Sequence, residues 1–435
     1  MNELFYPTID LFIYDLRSPL NADATEIASN LQAFRSRLPP KIELKNPQAE
    51  TEYLALATPT RLKLDPVDRR LGGYYYPVLL NDTYGLQIDC SVENFTEPQS
   101  LDSFSSIESE IEDAACNNPL TIGKTWLLSG WSIDRERDAE SIAIECYQTL
   151  FKDKSTPRIY GKGTLLSADI FEIWQPQSYK GNHSIVIIFP DRETLTQAAE
   201  FYTDWMGLYC YRHKITWAYH QSRSIKEALI EHYKKVQDNA EIIKNSQKSK
   251  ISLADLQKIF NDVQNILNKY TIDLLNLSFQ KQIIDINLVN YRTRLEQIEQ
   301  KAGSASNLDF LDRFSNLAEK KYLAQIEKDA DNMQLGLKLL ETNINALRSQ
   351  IELEKSERDL NFQNLVTIVG AGTALTTVLD YEGKKCKAII GDTNPYCKNF
   401  GIGGVLIPIG LLLILGAIML FSKWLYIKIK MNSQK

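Results

Sequence analysis

Apolar residues recur at alternating intervals of three and four through residues 253–298. They are Leu253, Leu256, Phe260, Val263, Leu267, Tyr270, Leu274 and Leu277, then, past a polar seam position at Lys281, Ile284, Leu288, Tyr291, Leu295 and Ile298. That period predicts the seam of a coiled coil or of a long antiparallel helix pair. Gly303-Ser304-Ala305-Ser306 follows, and glycine with small polar residues suits a helix-to-helix turn. A second seam runs through Leu323, Ile326, Ala330, Met333, Leu337, Leu340, Ile344, Leu347 and Ile351. No proline or glycine stands between Leu347 and Leu365, so this helix is expected to continue into the apolar stretch 362–379. A helix over 308–379 would be ~100 Å long and would need neighbours, from an oligomer or an intrachain bundle.

Upstream, helical periodicity begins near Asp191. Aromatic residues crowd 194–219 (Phe201, Tyr202, Trp205, Tyr209, Tyr211, Trp217 and Tyr219), which reads as core or subunit packing rather than a ligand box. The polar run 245–250 turns the chain back, giving long helices at about 191–245, 251–302 and 307–379. Before them the signals are shorter. Strands are expected at 11–14, 74–80, 84–92, 125–133, 164–174 and 183–189, with Asn81-Asp82 as a turn. Helices are expected at 23–38, stopped by Pro39-Pro40, and at 138–151, and the acidic run 103–115 is helical or loose. Helices between several strands imply one mixed sheet with helices on a face.

The end of the chain has two apolar segments. Residues 362–379 carry few charges and many small residues, as expected of a span packed inside a bundle. Thr367, Gly370, Thr373 and Thr377 are pore-lining candidates, although such hydroxyls also bond to their own helix backbone. The segment 405–427 is strongly apolar and long enough to cross a bilayer of ~30 Å. Trp424 and Tyr426 suit an interface belt, and Lys423, Lys428, Lys430 and Lys435 make the end of the chain basic. Between the segments, Cys386 and Cys397 flank a polar loop and are disulfide candidates. Asp380 and Glu382 follow the first segment directly. In a symmetric oligomer they would form carboxylate rings that attract cations; the alternative is a solvated helix end. The start, Met1-Asn2-Glu3-Leu4, has neither a basic n-region nor an apolar h-region, so both termini are expected in the cytoplasm and the loop outside.

Net charge changes the picture only by exclusion: −6 over 435 residues disfavours a general nucleic-acid binder. Cys90, Cys116, Cys146 and Cys210 fit no zinc spacing and read as buried free thiols. Gly123-Lys124-Thr125 is similar to the end of a phosphate-binding loop, but position 118 is Asn118 rather than glycine and a strand follows where a helix is needed. Gly161-Lys162-Gly163 reads as a turn. His183, His213, His220 and His232 form no metal-ligand pattern, and no nucleophile stands beside a base. The chain is therefore not expected to be an enzyme.

The order of parts resembles the CorA-type magnesium channel superfamily: an α/β cytoplasmic domain (1–190), a long helical stalk (191–360), a first transmembrane helix (361–380), an external loop (381–403), a second transmembrane helix (404–427) and a basic tail (428–435). The family's Gly-Met-Asn motif is absent; Thr377-Val378-Leu379-Asp380-Tyr381-Glu382-Gly383 stands in its place. The resemblance implies a CorA-like fold and a funnel-shaped homo-oligomer, a pentamer in that family. It also implies a divalent cation such as Mg2+ as permeant or regulatory ion. The expected function is a multi-pass membrane channel or transporter gated by its cytoplasmic domain, with the bilayer and other copies of itself as partners. The alternative is a membrane-anchored signalling or defence effector, whose cytoplasmic domain binds a partner or small messenger and whose spans permeabilise or tether. The ligand of the cytoplasmic domain is left open.

Overall fold

The computed structural model of the chain describes residues 3–18, 23–40, 42–47, 51–116, 118–132, 138–152, 157–174, 183–246 and 253–355. Their N-terminal part is one mixed sheet. In sheet order the strands are β2 (Leu54–Ala55), β4 (Leu71–Leu80), β5 (Thr83–Val92), β1 (Glu3–Leu16), β7 (Thr121–Trp131), β10 (His183–Phe189), β9 (Ala168–Ile173) and β8 (Ile159–Leu165). The short strands β3 (Leu62–Lys63) and β6 (Gln99–Ser100) add to β4 and β1. Only β7 and β10 run parallel among the described strands; the other pairs are antiparallel.

Strand alternation sorts the residues to two faces. Ile9, Leu11, Ile13, Leu86, Ile88, Leu128 and Val186 pack against α1 (Ala24–Arg35), α2 (Ser103–Ala115) and α3 (Ala139–Phe151) through Phe34, Phe104, Ile107 and Ile142. Asp23 and Asp138 cap α1 and α3, each accepting from a backbone N–H of the first turn. The opposite face of β1 meets α5 (Tyr202–Ser246), which follows α4 (Arg192–Ala198) and one 3-10 turn. Tyr14 Oη donates to the Met206 carbonyl at 2.9 Å, and the Phe12 and Tyr209 rings meet edge-on at 5.4 Å. Because β1 is covered on both sides it is largely apolar on both, with Asp10 and Asp15 as buried exceptions. That is why its sequence signal is clearest only at 11–14.

Two local expectations are corrected. Residues 164–174 hold the end of one strand, the turn and the second strand of a hairpin, since Leu166 and Ser167 take φ of 51° and 69° and reverse the chain between β8 and β9. Neither residue advertises a left-handed turn. Gly161 and Gly163 are strand residues, not a turn. They lie under Phe310 and the Asn307 carbonyl, where a Cβ at Gly163 would come 2.2 Å from that oxygen.

Beyond the sheet, α5 pairs with α6 (Leu253–Ala302), which is 50 residues and so ~75 Å long. The heptad seam is the buried face of α6: Leu256, Phe260, Val263, Tyr270, Leu277, Ile284, Leu288, Tyr291, Leu295 and Ile298. Lys281 leaves the seam to pair with Glu327 at 2.7 Å. Gly303, at φ +69°, reverses the chain after α6. The third helix is not continuous from 307. A 3-10 turn (Asp309–Leu311), α7 (Asp312–Leu317) and a π-helical turn (Ala318–Leu323) precede α8 (Ala324–Lys355). In the π turn Tyr322 stacks on Tyr219 of α5 at 4.0 Å. Below it, Asp329 of α8 is buried and ties the helices together, accepting from Arg223 and from Lys226 at 2.8 Å.

The glycine of Gly123-Lys124-Thr125 has a packing role. A Cβ at Gly123 would stand 2.1 Å from His213 Nδ1 and 2.4 Å from its Cγ, so α5 lies on β7 only because position 123 has no side chain. Gly123→Ala is expected to destabilise the protein by about 1–3 kcal/mol through overpacking. Urea unfolding checks this. A Gly123→Ala/His213→Ala double variant should lose less than the two single losses added together.

Candidate functional site

A cavity of about 560 Å3 lies on the α5 face of the sheet, within the range of small-molecule sites. Its lining comes from β4, β5, β1, β7 and β10, which are consecutive in the sheet. It is therefore a trough crossing about four strand spacings, ~19 Å. The β7 and β10 end is apolar, with Leu127, Ile187 and Phe189, and is closed by Leu195 and Trp205 from α4 and α5. The β4 and β5 end is polar, with Tyr74, Asp89, Ser91 and Glu93.

Asp10 and Asp89 are directly opposite each other in the β1–β5 register. Asp10 is fully buried. Its Oδ1 accepts from Gln87 Nε2 at 2.8 Å, and Gln87 also donates to Tyr74 Oη at 3.2 Å. Tyr202 and Asp89 lie beside Asp10, yet its Oδ2 has no hydrogen bond of normal geometry from the described residues. Burial drives the Asp10 carboxyl up to about 6, although Gln87 and Arg61 pull it down. Burial, and then the charge of Asp10, push Asp89 well above the ordinary carboxylate range. Two carboxyls so placed cannot both ionise cheaply and hold one proton between them near neutrality. Burial and the same two charges hold the Tyr74 and Tyr202 hydroxyls protonated.

The rim carries two stacked cations. The Arg61 guanidinium lies 4.7 Å over the Tyr74 ring, and that of Arg192 lies 4.2 Å over Phe95. Phe95 in turn stacks on Tyr6 at 4.0 Å. Tyr6 has φ of 50°, at the point where the β1–β7 register shifts between Phe5 and Thr8. The irregularity presents the Tyr6 ring to the cavity, and its hydroxyl accepts from Ser91 Oγ at 3.0 Å.

A second buried polar group is structural. Thr125 Oγ1 lies 2.7 Å from His183 Nδ1 and 2.8 Å from His213 Nε2. His183 Nε2 lies 3.2 Å from Glu172 Oε1, which is 2.8 Å from Arg212 Nη2 as an ion pair without hydrogen-bond alignment. Burial first, with Arg212 adding to it, keeps both imidazoles neutral. The Arg212 guanidinium is sandwiched by Trp174 and Phe314 at 4.2 and 4.1 Å. Both His183 nitrogens are engaged and no open face remains, so this group joins α5 to the sheet.

Among the described residues, no group of three or more His, Cys, Asp or Glu side chains is placed to hold a metal ion. Cys90, Cys146 and Cys210 are buried and unbridged, whereas Cys116 is exposed, where the chain leaves α2. The candidates Thr367, Gly370, Thr373, Thr377, Asp380, Glu382, Cys386 and Cys397 lie outside the described residues, as do both apolar segments. No described helix is long and apolar enough to cross a membrane. No motif in the sequence marks the cavity. Asp10 and Asp89 are isolated acidic residues within their strands, and their partnership depends on a register that only the fold sets. Tyr202 and Trp205, read as packing residues, are its wall.

No family model, no curated protein and no solved structure matches this chain.

Proposed function

We propose that this protein is a membrane-anchored sensor whose α/β domain binds a small ligand in the Asp10–Asp89 cavity and signals through its long helices to the C-terminal apolar segments. One observation carries the reading: α5 begins at the cavity wall with Tyr202 and continues for 45 residues into the helical stalk. A ligand that changes how Tyr202 and Trp205 sit acts directly on that helix. The apolar segment 405–427 supplies the anchor, and both termini are placed in the cytoplasm. Ile272, Ile286 and Val289 on α6 are exposed on the single chain, which supports a homo-oligomer.

Within that oligomer the first apolar segments form a cation pore. Asp380 and Glu382 stand at its mouth, Thr367, Gly370, Thr373 and Thr377 line it, and Mg2+ or another divalent cation is the permeant ion. The missing Gly-Met-Asn motif favours a second reading, in which the spans permeabilise without selectivity or only tether. Flux into liposomes carrying the purified protein separates the two, measured with Mg2+, other divalents, potassium and a small dye. Selective divalent flux that falls at least ~10-fold in Asp380→Asn/Glu382→Gln supports the pore. Dye leakage, or no flux at all, supports the effector. The Cys386–Cys397 bridge is tested by thiol labelling from outside intact cells, and equal labelling with and without reductant rules it out.

A further inference from the structure

The charges around the cavity are balanced except at one place. Arg61 and Arg192 line it from the β4 and β10 sides, and Glu93 and Asp89 line its polar end, with the buried Asp10 beside Asp89 on the neighbouring strand β1. With one proton held by the carboxyl pair, the arginines match the remaining negative charges. With none, one negative charge is left over. The unpartnered Oδ2 of Asp10 marks the same spot, since it is buried and accepts no aligned hydrogen bond from the described residues. The Tyr74 and Tyr202 hydroxyls stand beside the pair, and the Tyr74 ring already carries a cation, the Arg61 guanidinium 4.7 Å away. Next to this end the trough turns apolar, at Leu127, Ile187 and Trp205.

We propose that the cavity binds an organic monocation, a protonated amine or amidine on an apolar body, whose charge is taken up by the Asp10–Asp89 pair. The body lies over the apolar end of the trough, and the ammonium replaces the proton held by the carboxyls. A metal ion fits less well, because Arg61 stands close to both carboxyls and the described residues gather no third ligand of the usual kind. An anion has the arginines to meet it but must lie beside buried carboxyls. The inference rests on the reading of the cavity as the sensor's ligand site and goes further by naming the class of ligand.

The exchange gives binding a pH signature. A cation that needs both carboxyls ionised binds better as pH rises and releases about one proton on binding. The groups facing the pair are Arg61, Glu93, Tyr6, Tyr74 and Tyr202, and the tyrosines stay protonated through neutral pH.

Calorimetric titration of the full chain in detergent tests this with 2-phenylethylamine as probe, and with 2-phenylethanol and 3-phenylpropanoate as its neutral and anionic counterparts. The amine is expected to bind, at least ~10-fold more tightly at about pH 7.5 than at about pH 5, with a proton released. The counterparts are expected to bind at least ~10-fold more weakly. Asp89→Asn, which should fold at least as well as the natural chain, is expected to lose both the affinity and the proton release. Absence of amine binding, equal binding of either counterpart, or unchanged binding by Asp89→Asn would overturn the proposal. The sensor reading fails separately. Amine binding that leaves membrane flux unchanged keeps the site and removes the coupling. Flux that answers a ligand still bound by Asp89→Asn keeps the coupling and removes the amine.

Discussion

Arg37→Ala is expected to cost about 3–5 kcal/mol, a large part of the stability of any domain. Arg37 and Asp15 form a buried pair, with Nε to Oδ2 at 2.7 Å and Nη2 to Oδ1 at 3.0 Å. The guanidinium also donates to the carbonyls of Ala114 and Cys116, at the end of α2, and to Thr121 Oγ1 at 2.7 Å. Asp15 further accepts from Asn118 Nδ2 at 3.0 Å and Thr121 Oγ1 at 2.9 Å. One side chain thus holds α1, α2, β1 and β7 at one corner. Truncating it takes from the buried Asp15 carboxylate its hydrogen-bonded cation, leaving Lys124 nearby, and frees the Ala114 and Cys116 carbonyls at the end of α2. Chemical denaturation should show a lower midpoint with an unchanged slope. Arg37→Met with Asp15→Leu should recover much of the loss, because the neutral pair leaves no charge stranded. Equal losses in the single and double variants would sink this account.

Asp89→Asn has the opposite sign. The rise of Asp10 from 3.8 to about 6 shows what burial of its carboxyl costs, and the charge of Asp10 adds to burial in pushing Asp89 up further. A shift of that size corresponds to about 3 kcal/mol. Removing one carboxyl relieves part of it, and the amide introduced by the substitution can donate where a protonated acid did. A gain of about 1–3 kcal/mol is expected at neutral pH. The sign follows from proton counting. Both folded-state values lie above the ordinary one, so the folded protein holds more protons than the unfolded chain between about pH 4 and 6 and beyond. The pair's contribution is complete below about pH 4 and is lost as pH rises through about 6. The difference between natural chain and variant should therefore be small near pH 4 and grow toward neutrality. Thermal melts across that range measure it. A variant less stable at pH 7 would show that the pair supports the fold and is not held at its expense.

The sequence makes some of this legible. The seam through Leu256, Phe260, Tyr270 and Ile284 marks a buried helix face because a period near 3.5 is strictly local. Asp23 and Asp138 announce helix starts because a cap acts within one turn. The sheet is legible as a class but not as an order. The parallel pairing of β7 with β10 joins strands separated by α3 and the β8–β9 hairpin, and no local signal records it. The cavity is invisible for the same reason. Asp10 and Asp89 meet only once β1 lies beside β5, and Arg192 reaches Phe95 only once α4 follows β10 across the sheet. The leucine and serine at the β8–β9 turn carry left-handed conformations that their side chains do not favour, so composition points the other way.

The chain leaves the sheet along α5, returns along α6 and sets out again along α8. Ser306 and Asn307 bond back to Leu166 and Thr164 at the return, while Tyr270 Oη meets the Met333 carbonyl at 2.7 Å on the way out. The outgoing helix thus starts beside the sheet, and the π turn just before Ala324 is the candidate pivot of the proposed signal. From Ala324 to Ala346 it is ~35 Å long and is held to α5 and α6 through Asp329 and Met333, so it moves with them, and a tilt of the packed helices by ~5° would swing the far end by ~3 Å. Side-chain adjustments too small to reshape the sheet become displacements as large as the gap between closed and open contacts. On the proposed reading the same leverage works backward: whatever clamps the far end stiffens the pivot, so the protein held in a membrane should bind a cavity ligand with a different affinity from the protein released into solution.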